Sequence, residues 1–351
     1  MKKKIYSMIG LLVTGMVSGC STYVNHSILN ESILDTQIND RSFKDNLSSD
    51  IETLNEFDET THGAVVKSGV CGAEDGKEDA VKCIRYEDGM IYVYGEGMLS
   101  KSKLVNELEL QKSTDFDIFI DQGVTLVWLS DLPVKNVYLP ESMTVIEDRA
   151  FHRCTSLCSI RLPMKLTRIG ETAFTLCRSL ENIDIPDNVT YIGKNAFASC
   201  ESLSSINMPE GVEVIEDGAF ESCKSLQHIE LPKNVKKIRF GAFRDCTSLN
   251  SINLPENITF IECATFEGCI SLNSIYIPDS VTKIGIDTGA GAFAGCTSLE
   301  SIYIPESVTS IGDRTFQECE HLTIYAPIGS YAEKYAMEND ILFSSFDSDK
   351  Q

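Results

Sequence analysis

The sequence predicts a repeat solenoid: stacked coils of mainly parallel β-strands joined by short turns, closed by a small C-terminal helical cap. Two observations lead there. Proline recurs at positions 140, 163, 186, 209, 232, 255 and 278, a constant step of 23 residues, and once more at 305 after a step of 27. Phenylalanine (151, 174, 197, 220, 243, 266, 293, 316), cysteine (154, 177, 200, 223, 246, 269, 296, 319) and leucine (157, 180, 203, 226, 249, 272, 299, 322) keep the same register. Four residue types locked to one period mark a chain in which each repeat is one coil resting on its neighbours.

The unit reads P-[DE]-[NS]-V-T-x-I-G-x-x-A-F-x-x-C-x-S-L-x-S-I-x-[IL]. Its L-x-x-I-x-I portion puts three apolar side chains on the inner side of a short strand, with the residues between them outward. Proline ends that strand because it has no N–H to donate to a ladder. V-x-x-I-G carries two more inward residues to a turn, and A-F-x-x-C brings the chain round again. A lone coil buries too little to offset its ordering entropy, so stability has to come from stacking. The four extra residues Ile286–Gly289 fall in one coil's turn, where a loop bulges without breaking the stack.

This unit resembles the BspA-like class of bacterial leucine-rich repeat proteins, which share I-P-x-x-V-x-x-I-G-x-x-A-F-x-x-C-x-x-L. The resemblance covers about Val137 to Leu322. "IYAPIGSYAEKYAMENDILF" (Ile324–Phe343) looks like that class's C-terminal cap, with Ser330 and Glu333 as a capping box. "SGVCG" (Ser68–Gly72) with "DGMIYVYGEGML" (Asp88–Leu99) resembles its N-terminal cap, although relatives usually carry a tryptophan near the place of Cys83. The organisation expected is a leader (1–19), a tether (20–62), an N-terminal cap region (63–136), the repeats (137–322), and a C-terminal cap and tail (323–351).

The cysteines divide into groups. Parallel side chains in successive coils keep the strand spacing of about 4.8 Å, wider than the ~3.5–4.5 Å that Cβ atoms need for a disulfide. The ladder also lacks the C-x-x-C pairs of zinc sites. Its thiols are therefore read as core packing. Cys71 and Cys83 lie outside the ladder, either as a disulfide or as two separately buried thiols. Cys158 and Cys263 occupy variable repeat positions, and the sequence offers no partner for either. Cys20 follows a basic run (Lys2, Lys3, Lys4), an apolar stretch (Ile5–Val17) and the small residues Ser18 and Gly19. That arrangement resembles a bacterial lipobox, whose cysteine thiol receives diacylglycerol before the leader is removed. It implies a membrane partner through the acyl chains, and Ser21 permits outer-membrane sorting in a cell with two membranes.

From Ser21 to about His62 the composition turns to Asn, Ser, Asp, Glu and Thr, as expected of a disordered tether. The chain carries a net charge of −22, and removal of the lysine-bearing leader takes it to −25. That balance disfavours nucleic acid and anionic lipid as partners. No EF-hand or phosphate-binding glycine loop is present. The histidines (His26, His62, His152, His228, His321) are scattered, and no carboxylate pair stands out. Neither enzyme activity nor a cofactor or metal is expected. A ligand would have to meet the variable outward positions of the strands. One such column runs Tyr138, Arg161, Asp184, Asn207, Glu230, Asn253, Tyr276, Tyr303; a second runs Ser159, Asn182, Ser205, His228, Ser251, Ser274, Ser301. Adjacent exposed tyrosines have the composition of interface anchors, although tyrosine also stacks on exposed strands for purely structural reasons. The resemblance implies a surface lipoprotein whose coils bind a protein or glycan on host or bacterial surfaces. The alternative is a spacer or scaffold of the envelope without a specific ligand.

Overall fold

An antiparallel meander opens the fold, in a computed structural model that describes residues 62–72, 81–95, 97–110, 115–122, 124–286 and 289–345. Strand β1 (Val65–Val70) pairs with β2 (Val81–Tyr86), and β2 with β3 (Ile91–Gly95). A short helix, α1 (Lys101–Glu107), follows, with the Ser100 side chain accepting from the Lys103 N–H at its start. From β3 onward the pairing is parallel, first to Phe116–Ile120, then to Val134–Tyr138, then to Ser159–Arg161. The stacking thus begins upstream of the first regular repeat. It runs to about eleven coils roughly 23 residues apart. The leader, Cys20 and nearly all of the expected tether lie outside the described residues. His62, placed by composition at the end of the tether, sits with Nδ1 2.6 Å from the Asp88 carboxylate and its ring beside Tyr86. Among the described residues no helix is long and apolar enough to cross a membrane.

One coil explains the rest. Leu180, Ile183 and Ile185 point inward and are buried, while Asn182 and Asp184 between them are exposed. Pro186 ends the strand, and its carbonyl accepts from the Val189 N–H at 3.0 Å to make the first corner. Tyr191–Ile192 form a second, two-residue strand that pairs in parallel with Arg168–Ile169 of the previous coil. Gly193 is needed at the next corner for closeness of approach. A Cβ there would stand 2.6 Å from the Glu171 backbone nitrogen, so the coil beneath leaves no room for a side chain. The A-F-x-x-C segment then makes a third set of coil-to-coil bonds, such as Phe174 N–H to Ala196 O and Leu176 N–H to Ala198 O, both 2.8 Å.

Two core columns run up this turn side. The phenylalanines stack face to face from Phe151 to Phe316, with centroids 5.1–5.7 Å apart and planes within 14° of parallel. The cysteines do more than pack. Each ladder thiol donates to a carbonyl one coil back: Cys200 Sγ to Phe174 O and Cys223 Sγ to Phe197 O, both 3.2 Å, and so through Cys319 to Phe293 O. Cysteine is compact enough for a wholly buried site and still brings a weak donor for a carbonyl that has a second lone pair to satisfy.

At the far end, α2 (Tyr331–Glu338) starts at Ser330, whose Oγ accepts from the Glu333 N–H at 3.2 Å. The return half of the expected capping box is displaced by one residue. The Glu333 carboxylate accepts from the Gly329 N–H, because the Ser330 N–H is engaged by Pro327 O. Tyr335 of α2 lies edge-on to Phe316 at 6.0 Å and closes the aromatic column, its hydroxyl donating to Gly312 O. In the coil with the extra residues, Ile286 is exposed and Gly289 has φ +141°.

Candidate functional site

The outward columns read from the sequence lie on one strand face, in register from coil to coil. Tyr138 stands opposite Arg161, Asp184 opposite Asn207, Glu230 opposite Asn253, and Tyr276 opposite Tyr303. The serines of the second column pair in the same way, Ser274 with Ser301, while His228 meets Ser251 and contacts it through Nδ1.

The face has a pattern along its length that the repeat alone did not reveal. Its C-terminal end is a tyrosine stack. Tyr276 and Tyr303 lie 4.3 Å apart between centroids, 10° from parallel, and Tyr325 continues the stack at 4.8 Å. Its N-terminal end is aromatic too. Tyr92 pairs with Phe119 and Phe119 with Tyr138, with ring centroids 5.9 and 6.0 Å apart. Tyr94 stacks on Tyr92, whose hydroxyl donates to the Asp121 carboxylate at 3.0 Å. Between the two aromatic ends lies the charged and amide stretch Arg161, Asp184, Asn207, Glu230, Asn253. There Arg161 reaches the Glu141 carboxylate at 3.4 Å, and the Glu230 side chain is almost wholly exposed.

Where the amide stretch meets the tyrosines the surface dips. Asn253 is shorter than the ring beside it, leaving a notch of about 440 Å³ lined by Ser251, Asn253, Glu256, Ser274, Tyr276 and Pro278. The Tyr276 side of the stack borders this notch, and Tyr276 is 43% exposed. Ring, amide, hydroxyl and carboxylate together suit contact with a mixed polar and apolar surface rather than covalent chemistry.

Tyr92, Phe119 and Tyr325 were missed by sequence reasoning because each lies outside the constant period. The signal for Tyr325 was present in "LTIYAP", where the strand pattern arrives one residue early. Elsewhere, His152, His228 and His321 sit in separate coils, and no three His, Cys, Asp or Glu side chains converge as a metal site among the described residues. Cys263 is buried, and the half-buried Cys158 contacts Ser156 O at 3.3 Å. Cys71 and Cys83 are both buried in the N-terminal cap as thiols.

A family model for the BspA-type leucine-rich repeat region matches residues 129–240 and 214–340. No functionally curated protein matches the chain. Among solved structures, a leucine-rich repeat protein from Bacteroides ovatus superposes with a TM-score of 0.56 at 20% identity, covering 81% of this chain and 99% of that one. A leucine-rich cell surface protein from Faecalibacterium prausnitzii aligns at 25% identity with a TM-score of 0.40, covering 78% and 98%. The first of these shares the fold, a leucine-rich repeat solenoid of a kind that is typically not catalytic. With well over half of its length matched by the family model, the chain belongs to the BspA-type leucine-rich repeat family.

Proposed function

We propose that this is a lipid-anchored surface protein of a bacterial cell whose strand face binds a protein or glycan on host or neighbouring bacterial surfaces. The observation that carries the reading is the stack Tyr276–Tyr303–Tyr325 beside the Asn253 notch. Large rings with polar tips, pre-ordered by their neighbours, bring contact area at little entropic cost. The inward residues are committed to the core, so recognition falls to this variable face. The strong negative charge argues for a protein or glycan partner over nucleic acid. The same stacking also supports the spacer reading, since rings that satisfy each other need no ligand.

The test is capture. Soluble protein beginning at Gly63 is passed over immobilised extracellular-matrix proteins and bacterial surface extracts at moderate salt. Retention of a defined partner is expected. Retention of nothing specific would leave a spacer.

Anchoring rests on Cys20 and the basic, apolar and small-residue run before it. Acylation at about 0.8 kcal/mol per buried CH₂ would hold the chain to a membrane through two or three acyl chains. Changing Cys20→Ala is expected to abolish incorporation of labelled fatty acid and to leave the leader uncleaved. Continued labelling of that variant would remove the lipoprotein reading.

A further inference from the structure

The two cysteines of the N-terminal cap differ in kind from the ladder. In the antiparallel pair β1–β2, Cys83 stands opposite Gly69, and Cys71, the first residue beyond β1, bonds through its N–H to Val81 O at 2.9 Å. Cys71 and Cys83 are therefore diagonal neighbours on the same face, both wholly buried. Gly69 brings no side chain between them, and the Cys83 thiol leans over it to within 3.7 Å of its carbonyl oxygen. Of everything around the Cys71 thiol, Cys83 acts on it most and pushes it up. The ladder thiols instead come one to a coil, each donating to a backbone carbonyl of the coil before it.

We infer that Cys71 and Cys83 form a disulfide that staples the N-terminal cap. Each thiol loses a proton and together they give up two electrons, forming one S–S bond. The oxidant is a disulfide of the glutathione or thiol–disulfide oxidoreductase class, which leaves as two thiols. Exchange proceeds through a thiolate, and in the folded cap the Cys71 thiol is held well above its ordinary range, first by the Cys83 thiol beside it and then by burial. The bond therefore forms while the cap is folding and is inaccessible afterwards. Its place is telling: β1 is the edge of the sheet, paired on one side only within the described residues. The first coil of a stack lacks a neighbour to bury its outer face, so a covalent tie acts where stacking cannot.

The test uses the full chain, unfolded and then refolded in mixed reduced and oxidised glutathione, so that its outcome does not depend on export. The product is denatured with an alkylating agent but no reductant, digested and weighed. The expected result is one cross-linked peptide joining Cys71 to Cys83, lighter by two hydrogens than its separate parts, with every ladder cysteine alkylated. Once folded, the bond is expected to survive a thiol reductant and to break only when the reductant is combined with denaturant. Alkylation or glutathionylation of both Cys71 and Cys83 would overturn the proposal, as would a bond from either to a ladder cysteine. Failure here leaves the Cys20 labelling experiment untouched, so the staple and the surface-lipoprotein reading stand or fall separately.

Discussion

The turn side and the strand face belong to the same coils and follow opposite rules. On the turn side nearly every coil presents the same residues, with Phe151 to Phe316 in one column and Cys154 to Cys319 in the other, mostly wholly buried. On the strand face the outward residue changes along the stack, from Tyr138 through Arg161 and Asp184 to the repeated tyrosines Tyr276 and Tyr303. Repetition is what a stacked core requires, because each ring or thiol must fit its copy in the next coil. Variation is tolerated where side chains meet only solvent and neighbours. One residue type held through nearly every coil thus marks the scaffold, and positions free to differ along the stack mark the surface left for recognition.

The comparison breaks first at the rings. Phe220 lies between Phe197 and Phe243, at 5.7 and 5.6 Å, and is fully buried. Changing Phe220→Ala is expected to cost about 3–5 kcal/mol in urea unfolding, as lost burial and a cavity that stacked coils cannot close. A cost below about 1 kcal/mol would mean that the column is not a shared core.

The thiols sharpen it with pH. Burial pushes the Cys223 thiol well above its ordinary value near 9, and a neighbouring thiol, Cys200, adds to the shift. Burial likewise pushes Cys319, at the open end, up to about 11. A thiol raised on folding contributes its full stability below about pH 9 and loses it as the pH climbs towards the folded value. Changing Cys223→Ala is therefore expected to cost on the order of 1 kcal/mol at neutral pH. Above about pH 9 the wild-type protein should lose about 1.4 kcal/mol per pH unit relative to the variant, so that the two cross near about pH 10. Parallel stability curves through that range would show that the site is not a buried thiol.

How much of this was legible follows from the period. The buried columns and the outward column from Tyr138 to Tyr303 could be read because each recurs every 23 residues, with a single step of 27. The aromatic residues at both ends of the face could not. Tyr325 arrives one residue early, and Tyr92 and Phe119 belong to coils whose lengths differ from the repeat, so only the strand pairing brings them into line. The thiol-to-carbonyl ladder was invisible for another reason: a spacing shows that cysteines are stacked, not where their protons point. The capping box at Ser330 was readable, but its displaced return bond depended on Pro327 already holding the Ser330 N–H.

The change on the strand face carries the most weight for function. Tyr276 and Tyr303 stack outside the core, and removing both breaks two ring pairs, Tyr276–Tyr303 and Tyr303–Tyr325, so the cost to unfolding stability is expected to be no more than about 3 kcal/mol, at about 0.5–1.5 kcal/mol per pair. The central claim is that recognition and folding occupy different sides of the coil. It is tested most directly by measuring unfolding and partner capture on one preparation of the Tyr276→Ala, Tyr303→Ala protein, beside a variant lacking Ile286–Gly289. The account expects a folded tyrosine variant whose capture is weaker by about 2 kcal/mol or more, roughly thirty-fold, and a loop variant that captures normally. A loop deletion that abolishes capture while the tyrosine variant binds as before would contradict it and move the working surface to the turn side.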